Sequence, residues 1–597
     1  MTNILKVGGS EFRVLRESGA CYVDKTRLLT EFLDNGVMVT MITRPRRFGK
    51  SLMLSTIEEF LSICNDKEET RRLFDGLEIM EQEDLVQKYM GKYPVLHFSF
   101  DGIKGNTYEE LMDSILAAMQ NWCMEHIALF DFDKCDEDDV ELFKRIKKEQ
   151  ANKQYDGSEK GRKLKEADME SFLIAMMRML FTTYDEKVVV LLDEYDLPLA
   201  QASVLADKIQ VTKDRFISAY DAMMMFMSSM LEWSLKDNDI YLEQAVLAGR
   251  MCVISGGPIS GFNNYSWYGI QRAGYADAFG FTPEEVEKLL SDAGMPEKMK
   301  EFKEWYDGYV FCKAEIYCPW DVLKQVEYLQ ENPEASMEPH WLGTSENEIL
   351  QRVLRNPKIN IERQVSSLLK GVSVVATINR NVTYDILDSS RENLWTILYQ
   401  TGYLAKKNPS ENGEDLELVI PNKEVRKVFE SETISWLLDR SDALQATNII
   451  DSLLSHNADE AARLLSKHLL ESMSFFDYTD DIYHALIGMY LKRDGYLLEF
   501  GDKLDHSGIV LYNSVRTWAI IIEARHAREK KDYPSKLKEA VGQCIREKYI
   551  EGIKTKFKDV VCYGLACYQK ECMMQEVTEN DTLAKPRARK RQVTKKQ

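Results

Sequence analysis

Residues 37–61, VMVTMITRPRRFGKSLMLSTIEEFL, constrain the fold more than any other stretch. An apolar run leads into a short loop ending Gly49-Lys50-Ser51, and a helical pattern follows at once. A strand, loop and helix joined in this way create an anion site. Loop amides and the helix N-terminus point at phosphate, the Lys50 ammonium reaches the outer phosphates, and the Ser51 hydroxyl binds magnesium. The usual eight-residue phosphate loop opens with glycine, whereas Arg44 stands in that place here. Beside a phosphate site, Arg44, Arg46 and Arg47 are read as neutralising phosphate charge. The whole loop, with Pro45 and Phe48, is the expected nucleotide-binding element.

A second, distant signal matches the first. The run VVVLL ends in Asp193-Glu194. An acidic residue at a strand's carboxyl end holds the magnesium of a phosphate substrate, and a second carboxylate beside it orients the attacking water. Four short apolar runs, 37–43, 94–100, 187–192 and 250–255, are separated by amphipathic stretches, the pattern of a parallel sheet covered by helices on both faces. The fourth run ends in Ser255, either a γ-phosphate sensor or an ordinary strand-end serine.

A chain of 597 residues exceeds one core. The net charge of -20 excludes a protein that coats nucleic acid with its whole surface. The 11 cysteines form no CxxC pair and are read as reduced cytosolic thiols. No stretch approaches the roughly 18 apolar residues of a membrane helix, so a cytoplasmic protein without membrane attachment is expected. The organisation predicted from the pattern is an α/β domain over 1–282 with a polar insertion at 131–168, a helical lid or linker over 283–455, a small α/β domain over 456–575, and a basic tail over 576–597.

Several ordered motifs then carry a resemblance. CYVDKTRLLTEFL (21–33), ITRPRRFGKSLMLSTIEEFL (42–61), YPVLHFSF (93–100), VVVLLDEYDLPLA (188–200), FNNYSWYGI (262–270), FGFTPEEVEKLL (279–290), WYDGYVF (305–311), YCPWDVL (317–323) and HWLGTSENEIL (340–350) resemble the large prokaryotic family of AAA-ATPase-like proteins. In that family the loop itself usually reads R-P-R-R-F-G-K-S, so Arg44 follows the pattern. The resemblance implies a P-loop NTPase fold, ATP as nucleotide with Mg2+, Lys50 and Ser51 at phosphate and metal, and Asp193 with Glu194 as the second acidic motif. Relatives often form rings, which makes a homo-oligomer the expectation.

Members of the family commonly end in a PD-(D/E)XK domain of restriction-endonuclease type. YHALIGMYL (483–491), GIVLY (508–512), WAIIIEARHA (518–527) and AVGQCIREKYIEG (540–552) are similar to its helix, two strands and glutamine-bearing helix. The position of the usual metal-binding Asp is Gly508, and the usual Glu-x-Lys reads Glu523-Ala524-Arg525. Arginine binds phosphate but is a poor proton-transfer group. Asp505 is a candidate substitute ligand, and Gln543 keeps the helical polar position. The expected protein is an ATP-hydrolysing switch whose C-terminal nuclease-fold domain binds nucleic acid without cleaving it. The rivals are an active ATP-regulated nuclease using Asp505 and Glu523, and a scaffold that binds nucleotide without turnover.

Overall fold

The computed structural model describes residues 8–148, 166–212, 215–236, 238–253, 264–341, 348–356, 359, 361–379, 381–410, 413–439, 446–472, 483, 487, 488, 491, 496–500, 508–513, 517–546, 550, 553, 556–568 and 571–578. The chain divides into two compact units, Met1–Trp341 with Ser373–Val425, and Leu342–Val372 with Arg426–Gln597. Among the described residues no helix is long and apolar enough to cross a membrane.

The first unit is built on five parallel strands, β1 (Val39–Thr43), β2 (Val95–Ser99), β3 (Val188–Asp193), β4 (Leu242–Gly249) and β5 (Tyr265–Tyr268), in the order β2-β3-β4-β1-β5. β1 and β3 are buried along their whole length, as strands covered on both faces must be. Their partners in sequence are α1 (Lys50–Leu61), α2 (Tyr108–Glu125), α3 (Phe172–Tyr184) and α4 (Ala219–Leu235). Because β1, β4 and β3 run parallel, the loop leaving β1 and the acidic end of β3 open on the same edge. That edge, outside the carboxyl ends of the strands, is where open α/β sheets bind ligands.

The fourth strand differs from expectation. It is Leu242–Gly249, and the run 250–255 follows it rather than forming it. Met251, Cys252 and Val253 are apolar because they are buried, not because they pair. Side chains satisfy the backbone there: Asp196 accepts from the amides of Arg250 and Met251, and the Tyr195 hydroxyl donates to the Met251 carbonyl at 2.6 Å. Ser255 lies outside the described residues. Within the polar insertion, helix Glu137–Lys148 buries Val140, Leu142, Phe143 and Ile146.

The middle of the chain is less helical than its pattern suggests. α5 (Pro283–Asp292) starts in a capping box, with the Thr282 amide donating to Glu285 and the Glu285 amide donating back to the Thr282 hydroxyl. A two-stranded hairpin follows, β6 (Tyr309–Phe311) and β7 (Ala314–Ile316), and then α6 (Pro319–Glu331). Beyond it lies a three-stranded antiparallel sheet of β8 (Val374–Thr377), β9 (Ala405–Lys406) and β10 (Asp415–Val419), in the order β8-β10-β9. Tyr306, Tyr309, Phe311 and Tyr317 are fully or nearly buried, so the aromatic segments near Gly308 and Pro319 form core.

The second unit holds a mixed five-stranded sheet of β11 (Tyr496–Phe500), β12 (Ile509–Asn513), β13 (Trp518–His526), β14 (Asp559–Tyr568) and β15 (Glu571–Glu576) in sequential order. β13 and β14 are parallel, and the other neighbours are antiparallel. Helices α7 (Ala446–Leu454) and α8 (Ala458–Ser472) precede the sheet, and α9 (Tyr533–Arg546) connects the parallel pair.

Candidate nucleotide site and the C-terminal carboxylate

Gly49 caps α1 in the left-handed region, φ 85°, where a side chain would be strained. Arg47 also has φ 67°, so the loop bends sharply twice before the helix begins. This bend brings α1 over β4 toward the end of β3. The Ser51 hydroxyl donates to Asp193 Oδ2 at 2.5 Å. Lys50 Nζ lies 3.4 and 3.2 Å from the carbonyls of Arg44 and Pro45 and 3.5 Å from Glu194 Oε1. Thus Lys50, Ser51, Asp193 and Glu194, four residues from two distant motifs, share one site.

Glu194 is held in an unusual way. Its backbone is left-handed at φ 47°, which costs a non-glycine residue of order 1 kcal/mol. Its carboxylate faces Lys50 on one oxygen and Arg250 Nη2 at 3.2 Å on the other. Burial alone would raise its pKa, but the charges of Lys50, Arg250 and Arg46 outweigh it and bring the group to about 2. Asp193 moves the opposite way: burial and the Glu194 charge raise its pKa, against the pull of Ser51 and Lys50.

The three loop arginines separate. Arg44 is completely buried, and its guanidinium donates to the carbonyls of Thr43, Tyr268 and Tyr275 at 2.8–2.9 Å. Phe279 and Phe311 flank it, each ring centroid at 5.3 Å. Burial lowers its pKa to about 9. Arg47 lies over the Trp320 ring at 4.8 Å and reaches the His340 carbonyl at 3.4 Å. Phe48 is buried against Tyr309 and Phe311. Arg46 is half-buried and contributes to the field at Glu194.

Sequence reasoning missed Arg250 and Asp196. Asp196 is buried and binds the backbone after β4, which sets Arg250 against Glu194, and Tyr384 donates to it at 2.8 Å. Gly249 lets this happen, since a Cβ there would stand 2.5 Å from Asp196 Oδ1. The visible signal was the third acid in Asp193-Glu194-Tyr195-Asp196; nothing marked Arg250. A cavity of about 130 Å3 adjoins Arg250, lined also by Thr43, Trp267, Gln271, Arg272 and Tyr399.

Residues 6–255 match the model of a family described as predicted AAA-ATPase. The matched segment contains the loop, both acidic residues and Arg250. A protein of Azotobacter chroococcum mcd 1, described as an uncharacterized protein in the vnfD 5' region, is 23% identical over 457 residues, covering 76% of this chain and 74% of its own length. The relationship therefore extends beyond the family match.

In the second unit Glu523 is fully buried, 0% exposed, and Arg525 Nη1 sits 2.8 Å from its Oε1. Arg525 also hydrogen-bonds Gln543 on α9. Gly508 lies beside them; a Cβ there would stand 3.1 Å from Glu523 Oε2. Asp505 lies outside the described residues. Among the described residues no group of three His, Cys, Asp or Glu side chains forms a metal cluster.

Proposed function

We propose that the first unit binds ATP with magnesium and hydrolyses it. The observation that carries this reading is the convergence of Lys50, Ser51, Asp193 and Glu194 at the carboxyl edge of the sheet. Ser51 Oγ and the Asp193 carboxylate are hard oxygen donors already within 2.5 Å of each other, a donor set that fits Mg2+. When bound, the metal would neutralise phosphate charge. Lys50 binds the outer phosphates, which compete with Glu194 for its ammonium. Glu194, held as a carboxylate, orients the attacking water. Arg250 positions Glu194 from the side opposite Lys50. Arg44 and Arg47 serve the loop by shape: one ties it to β5 and the other to Trp320 and His340, and Arg46 supplies charge.

The test is phosphate release with purified protein. Lys50→Ala should lose nucleotide binding, and Glu194→Gln should keep binding while losing turnover. Unchanged binding and turnover in Lys50→Ala would overturn the reading, and ATP binding without any turnover by the unaltered protein would favour a nucleotide-stabilised scaffold.

We further read the second unit as a PD-(D/E)XK-like domain that contacts nucleic acid without cutting it. Its antiparallel β11-β12-β13 followed by a helix and a parallel strand supports this reading, as does the Arg525 guanidinium held on the carboxylate a metal would need. Magnesium-dependent nicking that disappears in Glu523→Ala would reverse the conclusion about cleavage.

A further inference from the structure

We propose that Cys567 and Cys572 form a reversible thiol–disulfide site that reacts with low-molecular-weight disulfides. The two residues are directly opposite each other on β14 and β15, and their sulfurs stand 3.5 Å apart.

The register explains why the pair is suited to bridging. The Val577 amide donates to the Cys562 carbonyl at 2.8 Å, and these residues continue the pairing of Tyr563 with Glu576, so they form a hydrogen-bonded pair. Such pairs alternate with non-hydrogen-bonded ones along an antiparallel ladder. Five steps on, Cys567 and Cys572 fall at a non-hydrogen-bonded position, where opposite Cα atoms approach to about 4.5 Å. A disulfide accepts Cα separations from about 4.4 to 6.8 Å, so the bond forms by side-chain rotation without moving either strand.

Access separates this pair from the other thiols. Cys567 is fully buried, while Cys572 is half-buried, its backbone amide bonded to Ser466 of α8 at 2.8 Å. Cys544 and Cys562 are also neighbours, but both are buried in the apolar cluster of α9, β12 and β14. Cys64 is exposed, and its sulfur meets the Tyr184 hydroxyl. Among the described residues, only at Cys567 and Cys572 does a reachable sulfur stand against a second one.

The chemistry balances with one small disulfide RSSR. The Cys572 thiol loses its proton and attacks one sulfur of RSSR, releasing RS− and leaving a mixed disulfide. The Cys567 thiol then loses its proton and attacks Cys572 Sγ, expelling the second RS−. Two thiols are oxidised, RSSR is reduced to two RSH, and the two released protons end on them.

The experiment treats the whole protein with oxidised glutathione and maps tryptic peptides under non-reducing conditions. Cleavage after Lys570 separates the cysteines into peptides 559–570 and 571–587. The expected result is a cross-link between these peptides that dithiothreitol removes and that Cys567→Ser abolishes, leaving in that variant a persistent glutathione adduct on Cys572. A persistent adduct on Cys572 in the unaltered protein, a cross-link retained in Cys567→Ser and therefore made by Cys562, or modification of Cys64 with Cys572 unreacted would each overturn the proposal. The map of the unaltered protein decides even where a variant fails to fold.

Discussion

Two buried glutamates, Glu194 in the first unit and Glu523 in the second, are both paired with arginine, yet their surroundings differ in one respect. Glu194 is 13% exposed, and its two cations, Lys50 and Arg250, come from separate elements, α1 and the loop after β4. Glu523 is 0% exposed, and its arginine is two residues along the same strand. A cation brought from another element can exchange its carboxylate for a phosphate without disturbing the strand that carries the acid. An arginine on the same strand, already bonded to Gln543, has no such freedom. The first arrangement suits the anion exchange proposed above; the second holds its acid and base on one strand.

The comparison is broken most directly at Lys50. If its ammonium exchanges Glu194 for phosphate, Lys50→Ala lowers phosphate release by at least roughly 100-fold, the order seen when one preorganised charge is removed. Turnover within a few-fold of the unaltered protein would mean that the lysine only balances the glutamate.

A second effect falls on stability in the second unit. Arg525→Ala removes the cation 2.8 Å from a fully buried carboxylate, and breaking such a pair costs about 3 to 5 kcal/mol. Urea unfolding of the second unit measures it. In the first unit the matching change, Arg250→Ala, leaves Glu194 still facing Lys50, so a loss of about 2 kcal/mol or less is expected. Equal losses at the two sites would erase the distinction drawn above.

How much of this was legible follows from where each side chain finds its partners. The strand, loop and helix around Gly49-Lys50-Ser51 could be read because the residues that define them are consecutive, and Asp193-Glu194 because it closes an unbroken apolar run. The direction of Arg44 could not. Besides Thr43, its acceptors are the carbonyls of Tyr268 and Tyr275, more than 200 positions away, and a carbonyl leaves no mark in a side-chain sequence. β4 was misplaced for a related reason: its strand LEQAVLAG is poor in β-branched residues, whereas the loop after it is apolar because Asp196 and Tyr195 bury it. Arg250 drew no notice, since its role rests on the backbone contact that Asp196 makes.

A third buried acid extends the series, because a second carboxyl stands against it. Glu424, at the start of helix Lys423–Asp439, accepts from the amides of His340 and Trp341 at 2.5 and 2.8 Å and hydrogen-bonds Asp321, which in turn accepts from Trp341 Nε1 at 3.0 Å. Burial first, and then the Asp321 charge, push the Glu424 pKa upward; burial does the same to Asp321, with Arg47 pulling against it. A carboxyl whose folded pKa is raised binds more protons folded than unfolded, so its contribution to stability is present below the unfolded pKa and is lost as pH rises toward the folded value. Glu424→Gln keeps a hydrogen-bond donor toward Asp321 and removes one titration. The variant should therefore match the unaltered protein near pH 5 and exceed it by about 2 to 3 kcal/mol at pH 7, since stability falls by about 1.4 kcal/mol for each pH unit in which only the folded state holds the proton. Thermal unfolding at the two pH values checks this, and a difference that stays constant would mean the pair is ionised in the folded state. A proton then suffices where no anion has to enter, and a mobile cation is needed only where one does.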